Sequence, residues 1–300
     1  MFFHKQETQF KAVPDHSDAL LGRKMQELIG GQYGEISVMM QYLFQGWNVK
    51  MPGKYKDMLL DIGTEEIGHV EMLATMVARL LEKAPLGPLE NQVVADPTVA
   101  AVVGGMDVQH AIVAGAGARP VDSNGNPWQG AFVTASGNLM ADFHANANAE
   151  MQGRLQAARI YEMTDDSGVR DMLRFLIARD TMHQNQWLAA IEELKADGLE
   201  AFPVPSGLGD GDEVSEFTGA YLKHSDGAAS AEGRWARGPR PDGHGDFVYL
   251  DAPPPGVPLP PPPAADPRLH ATATPDQIVL PKDGGGAGIA DKVKGALGAQ

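Results

Sequence analysis

Glu66 and His69 stand three residues apart in the run Thr64-Glu65-Glu66-Ile67-Gly68-His69, inside a long apolar-periodic segment from about Tyr55 to Leu81. Residues three apart share a face of an α-helix, so a carboxylate oxygen and an imidazole nitrogen are presented to one point, where they can hold a metal ion. Asp180 and His183 repeat the acid-x-x-His spacing in another helical segment, and Glu35 and Glu150 lie among apolar residues of two more. A bundle that binds two metals draws an acid from each of two helices and an acid-x-x-His pair from each of the other two, all projecting inward. Carboxylates neutralise and bridge two divalent ions, and each imidazole completes one ion without adding charge. Such a centre can exchange two electrons in one step, which suits peroxide or dioxygen. On spacing alone Asp180 could itself ligate.

Four helices must position these groups. The spacing predicts the first from Ser17 to about Val49, capped by Ser17 or Asp18, with Leu20, Leu21, Met25, Leu28, Ile29, Ile36, Met39, Met40, Leu43 and Phe44 recurring at three- and four-residue intervals. Glu35 falls within it, and Tyr42 lies two turns on along the same face. Gly30, Gly31 and Gly34 cost a helix about 1 kcal/mol each against Ala, so they imply tight packing on a neighbour. The second helix runs from about Tyr55 to Lys83 with Leu59, Ile62, Glu66, His69, Leu73, Met76 and Leu80 on one stripe, and Asp57 and Asp61 away from it. Ser136 caps a third helix to about Met163, carrying Leu139, Phe143, Asn146, Glu150, Leu155 and Ala158. After the short turn at Thr164–Gly168 a fourth runs antiparallel, from about Val169 to Asp197, with Met172, Leu173, Leu176, Asp180, His183 and Trp187 on one stripe.

Between helices two and three, the Gly/Pro punctuation and the run Val121–Trp128 suggest a long crossover containing a turn or short hairpin. A ferritin-like bundle needs such a crossover. The expected fold is therefore an all-α core, a ferritin-like four-helix bundle over residues 1–200 with the crossover insert at about 84–135. Residues 201–300 form an extended Pro/Gly-rich region: Phe202–Gly245 reads as irregular and Ala252–Pro263 as polyproline. This region is expected to wrap a neighbouring subunit, with its last 25 or so residues frayed.

A formal charge of -15 and a pI near 4.9 in 300 residues, without a basic stripe, argue against nucleic-acid and anionic-membrane surfaces. Cys is absent, which excludes disulfides and thiolate chemistry. No secretory signal and no spanning apolar run are read, so the default location is cytoplasmic.

Several blocks carry a resemblance. Gly31-Gln32-Tyr33-Gly34-Glu35, Asp57 to His69, Val121 to Ala141, Arg159-Ile160-Tyr161-Glu162-Met163-Thr164 and Ser230-Ala231-Glu232-Gly233-Arg234-Trp235 look like the manganese (non-haem) catalases. The match runs from residue 1 to about 270. The resemblance implies a dimanganese centre, two ions per chain, that disproportionates hydrogen peroxide to water and dioxygen in a ferritin-like bundle, as a homo-hexamer. It implies that Glu35, His69 and a bridging Glu66 hold one manganese, and that Glu66, Glu150 and His183 hold the other. Asp180 takes the position of an acid, usually Glu, that handles protons without ligating. Tyr42 matches a tyrosine hydrogen-bonded to the site.

The chain departs from that pattern in two places. Part of the family has Arg directly before the third-helix Glu, where this chain has Ala149, and the role of Arg154 nearby is open. Some members bind calcium at a subunit interface. Asp57, Asp61, Ser225 and Gly227 match that site, but Lys223 replaces an Asn, and its ammonium could occupy the calcium position. Two other functions share the ligand types: a di-iron ferritin-like oxidase or iron-handling protein, and a non-catalytic coat or structural protein that keeps the bundle for packing. Imidazole and carboxylate accept iron as readily as manganese, so only the family blocks favour manganese.

Overall fold

The computed structural model describes residues 4–50, 53–82, 105–106, 108–199, 214–252 and 256–263. It divides into two compact units, Met1–Asp210 and Gly211–Gln300.

In the first unit the helices are α1 Ala19–Met25, α2 Glu27–Gly30, α3 Glu35–Asn48, α4 Gly53–Leu81, α5 Val108–Ile112, α6 Leu139–Glu162 and α7 Ser167–Ala196. Helix α3 packs along α4 and α6 along α7, and contacts of α3 with α6 and of α4 with α7 close a four-helix bundle. The crossover lies between α4 and α6; its residues 83–104 are outside the described set.

The first helix departs from expectation. It is capped by Asp18, whose carboxylate accepts from the Leu21 N–H, but it stops at Gly30, and α3 starts afresh at Glu35. The crossover causes the break: a Cβ on Gly30 would lie 2.4 Å from the Val121 backbone nitrogen, so the chain can pass there only as glycine. Ser37 Oγ donates to the Gly31 carbonyl, and Trp128 Nε1 donates to Ser37 Oγ, tying the interruption to the crossover. The expected turn at Val121–Trp128 is present, with a bridge between Val121 and Pro127 and the Asp122 carboxylate accepting from the Asn124 and Asn126 N–H groups.

Helix α6 is capped by Asn138 rather than Ser136; the Ser136 amide and hydroxyl instead donate to Asp142 Oδ1. Asp166 caps α7 and also accepts from the Asp15 N–H, while Asp15 accepts from Ser167, which fastens the N-terminal segment to the α6–α7 turn.

The core comes in two apolar clusters. One holds Met72, Leu73, Met76, Val77 and Leu80 with Met172, Leu173 and Leu176; the other holds Val38, Tyr42, Leu59, Ile62, Phe143, Trp187 and Leu194. Along α4 the buried polar pair Glu66 and His69 falls between the two clusters, and along α7 Asp180 and His183 do the same. Leu20, Phe44 and Leu155, assigned to apolar stripes above, are exposed.

The second unit holds α8 Ser215–Thr218 and three strands, β1 Ala220–Leu222, β2 Arg237–Pro239 and β3 Asp246–Leu250. They form a sheet of order β1-β3-β2, with β1 parallel to β3 (Ala220 opposite Val248) and β2 antiparallel to it (Gly238 opposite Phe247). The stretch read as irregular therefore contains regular structure. Residues 256–263 carry neither helix nor strand and are exposed, while the last 25 residues lie outside the described set.

Candidate metal centre

Glu35 is the first residue of α3, where unpaired backbone N–H groups and the helix dipole favour a carboxylate. Glu66 and His69 come from α4, Glu150 from α6, Asp180 and His183 from α7. All are buried: Glu66, His69 and His183 are 0% exposed, Glu150 and Asp180 3%, Glu35 7%. The side chains form two sets, Glu35–Glu66–His69 and Glu66–Glu150–His183, in each of which one ligand-type atom per residue lies within 4.8 Å of the others. Glu66 belongs to both. Asp180 belongs to neither.

The two oxygens of Glu66 face different histidines: Oε2 is 2.6 Å from His69 Nδ1 and Oε1 is 2.8 Å from His183 Nδ1. Glu35 Oε2 lies 3.8 Å from His69 Nδ1 and Glu150 Oε1 3.7 Å from His183 Nδ1. The imidazole rings are stacked, with centroids 5.7 Å apart. Glu150 Oε1 accepts from Tyr42 Oη at 2.6 Å and from Trp187 Nε1 at 3.4 Å. Beside these groups Gln41 and Gln45 hydrogen-bond Asn146 and the Thr134 backbone, pinning the end of the crossover to α3 and α6.

Crowding of carboxylates governs the protonation of the site. Burial, with the charge of Glu66, pushes Glu35 up to about 8 and holds Glu150 well above the usual range. Asp180 is likewise raised, by burial and then by Glu35 and Glu66. Burial acts on Glu66 in the same sense but is outweighed by His69 and His183, so this carboxylate is held below its ordinary range. Burial would lower both histidines; the surrounding carboxylates prevail, leaving His69 well above its ordinary value and His183 at about 10.

The donor set fits a pair of divalent ions. Although Glu66 Oε1 and His183 Nδ1 are buried and 2.8 Å apart, neither makes a hydrogen bond, and Asp180 Oδ1 is also without one. Buried polar atoms left without a hydrogen bond are costly. Cations among three mutually repelling carboxylates would satisfy Glu66 Oε1 and His183 Nδ1 and remove the repulsion.

Glu35, Glu66, His69, Glu150 and His183 thus come together in the two sets, Tyr42 is hydrogen-bonded to Glu150, and Asp180 is buried outside both sets. Asp57 and Asp61 are exposed on α4 and belong to no metal-compatible group among the described residues, and Ser225 and Gly227 are exposed in the second unit. Ala149 is buried beside Glu150 in the second apolar cluster, while Arg154 Nη1 donates to Thr181 Oγ1. Glu65 and Arg179 are the contributors not foreseen. Arg179 donates to both Glu65 oxygens, at 2.6 and 3.1 Å, and Glu65 stands behind both histidines. The signal was available, since Glu65 and His69 are four apart on α4 and so share a face.

Residues 1–284 match the family described as manganese containing catalase. The manganese catalase of Bacillus subtilis (strain 168) is 56% identical over 250 residues, covering 83% of this chain and 90% of that protein. The manganese catalase of Lactiplantibacillus plantarum is 45% identical over 274 residues, 90% of this chain and 98% of that one. In fold, the crystal structure of wild-type KatB, a manganese catalase from Anabaena, matches with a TM-score of 0.65 over 84% of this chain and 100% of its own, at 24% identity. With its family match running through nearly the whole sequence and a bundle that gathers two metal-compatible sets around one shared carboxylate, this chain belongs to the manganese-containing catalases.

Proposed function

We propose that the chain disproportionates hydrogen peroxide to water and dioxygen with two manganese ions, one held by Glu35, Glu66 and His69 and the other by Glu66, Glu150 and His183. The observation that carries this reading is the pair of buried three-residue sets sharing Glu66. A manganese pair supplies the two-electron change that the reaction requires.

The residues supply the rest. Glu66 directs one oxygen toward each histidine, so it would serve both ions. Asp180, raised by burial and by the neighbouring charges of Glu35 and Glu66, keeps a proton on a buried carboxyl whose Oδ1 has no hydrogen bond. Reducing one peroxide to two waters takes up two protons and oxidising the next to dioxygen releases two; Asp180 can give, and then take back, one proton of each pair. Tyr42 fixes the Glu150 carboxylate through its 2.6 Å hydrogen bond. Phe143 and Leu176, both buried in the flanking clusters, restrict the site to small molecules.

Elemental analysis combined with an oxygen electrode tests the reading. Purified protein should carry two manganese per chain and evolve oxygen from peroxide; protein loaded with two manganese that evolves none would refute it. The ligand types accept iron equally well, so protein from cells supplied with both metals decides between the manganese catalase and a di-iron oxidase. Calcium forms no part of the proposal, because Asp57 and Asp61 have no third acidic or histidine partner among the described residues. A hexamer of this 32.0-kDa chain in the cytoplasm completes the reading, and sedimentation equilibrium measures the assembly.

A further inference from the structure

In both histidines Nδ1 turns toward Glu66, so both Nε2 atoms point away from the metal-compatible sets. They point at one carboxylate: His183 Nε2 is hydrogen-bonded to Glu65 Oε2 at 3.1 Å, and His69 Nε2, which makes no hydrogen bond, faces Glu65 Oε1 at 3.7 Å. Arg179 holds the other side of that carboxylate, with Nε 2.6 Å from Oε1 and Nη2 3.1 Å from Oε2. On α4 the neighbours Glu65 and Glu66 stand four and three residues before His69, and the imidazole lies between their carboxylates.

We propose that Glu65, held by Arg179, is a positioning residue shared by both histidines: its hydrogen bond keeps the His183 proton on Nε2, its charge 3.7 Å from His69 Nε2 favours the same tautomer there, and each Nδ1 lone pair is left free for a metal. This inference rests on the dimetal reading above. A neutral imidazole has one donor and one acceptor nitrogen; with Glu66 engaged by the metals, Glu65 is the carboxylate left to set which is which. A carboxylate accepts at two oxygens and so can serve two rings, whereas an amide has a single acceptor oxygen and can serve one. The two-point contact from Arg179 orients the carboxylate and balances its charge, so Glu65 adds no uncompensated negative charge beside Glu35, Glu66 and Glu150. Its position off the metal side leaves the ligand count untouched. Hydrogen-bond partners of this kind change metal affinity by about 10- to 100-fold when removed.

The test is a manganese titration of metal-free full-length protein, following free Mn(II) by its solution EPR signal, with circular dichroism on the same samples. The wild-type chain should take up two manganese. Glu65→Ala should weaken both by about 10- to 100-fold, Glu65→Gln should weaken one of the two by that factor, and Arg179→Gln, which leaves the carboxylate in place, should lose less than Glu65→Ala. Wild-type affinity for both ions in Glu65→Ala overturns the assignment. So do equal losses in Glu65→Ala and Arg179→Gln, since these would trace the effect to a broken ion pair. If Glu65→Ala loses helical signal, the isosteric Glu65→Gln decides: wild-type binding of both ions in it overturns the assignment. Failure of the wild-type chain to bind manganese at all would remove the dimetal reading and this inference together, whereas wild-type binding matched by Glu65→Ala removes this inference alone.

Discussion

Glu35, Glu66, Glu150 and Asp180 cannot all be charged in a space closed to water, and without metal the site settles the conflict by leaving the charge on Glu66, between two imidazoles, and raising the other three. This sets the pH behaviour of the metal-free chain. Glu35 binds its proton up to about 8 when folded and loses it near 4.5 when unfolded, so its contribution to stability falls as pH rises between those values. His183 is raised to about 10 from 6.5, so its contribution is full below 6.5 and is lost as pH rises through 10. Chelator-treated protein should therefore unfold at progressively lower urea concentration at pH 6, 8 and 10; a constant or rising midpoint would contradict the protonation scheme. Manganese binding has the opposite dependence, because ligands must be deprotonated, and should tighten with pH over the same range. Glu66→Ala makes a sharper distinction. It removes the only group common to both sets, so manganese retention and oxygen evolution should both disappear while the helical circular dichroism persists. If the bundle were kept only for packing, the melting temperature would change and no manganese-dependent activity would exist to be lost.

At the scale of elements, α4 and α7 were legible because each buries one stripe along its whole length: Leu59, Ile62, Glu66, His69, Leu73, Met76 and Leu80 on one, Met172, Leu173, Leu176, Asp180, His183 and Trp187 on the other, are all buried. The break before Glu35 was not legible, since its cause is Val121 of the crossover pressing on Gly30, a contact between distant parts of the chain. Glycines signalled close packing there without saying whether the helix would survive it. Gly30→Ala tests the cause: a methyl 2.4 Å from backbone must displace the crossover, at a cost of about 1–3 kcal/mol or more, read as a lowered urea midpoint. Unchanged stability would mean that the contact does not fix the start of α3. Helix α6 misled in a smaller way. It is rich in Ala and Asn, so its periodicity is weak, and Leu155, an inward position by spacing, is exposed while Ala157 and Ile160 are buried. The strands of the second unit, three to five residues long, are too short for a period-two signal to stand out. Glu65 is hard to read for a related reason: an acid beside another acid on a helix looks like solvated surface until the fold puts Arg179 and two imidazoles against it.

For the molecule as a whole, the net charge of -15 fits a protein whose reactive groups are internal and whose substrate is small and neutral, since peroxide is not repelled by an acidic surface. No helix among the described residues is long and apolar enough to cross a membrane. Identity of 45–56% to manganese catalases over most of the chain gives the family, and the two sets around Glu66 give the physical reason this chain can do that chemistry. Anomalous diffraction at the manganese edge from crystals of manganese-loaded protein shows where the metals sit. Two peaks per chain are expected, one among Glu35, Glu66 and His69 and one among Glu66, Glu150 and His183. A single peak, or peaks away from Glu66, would contradict that placement.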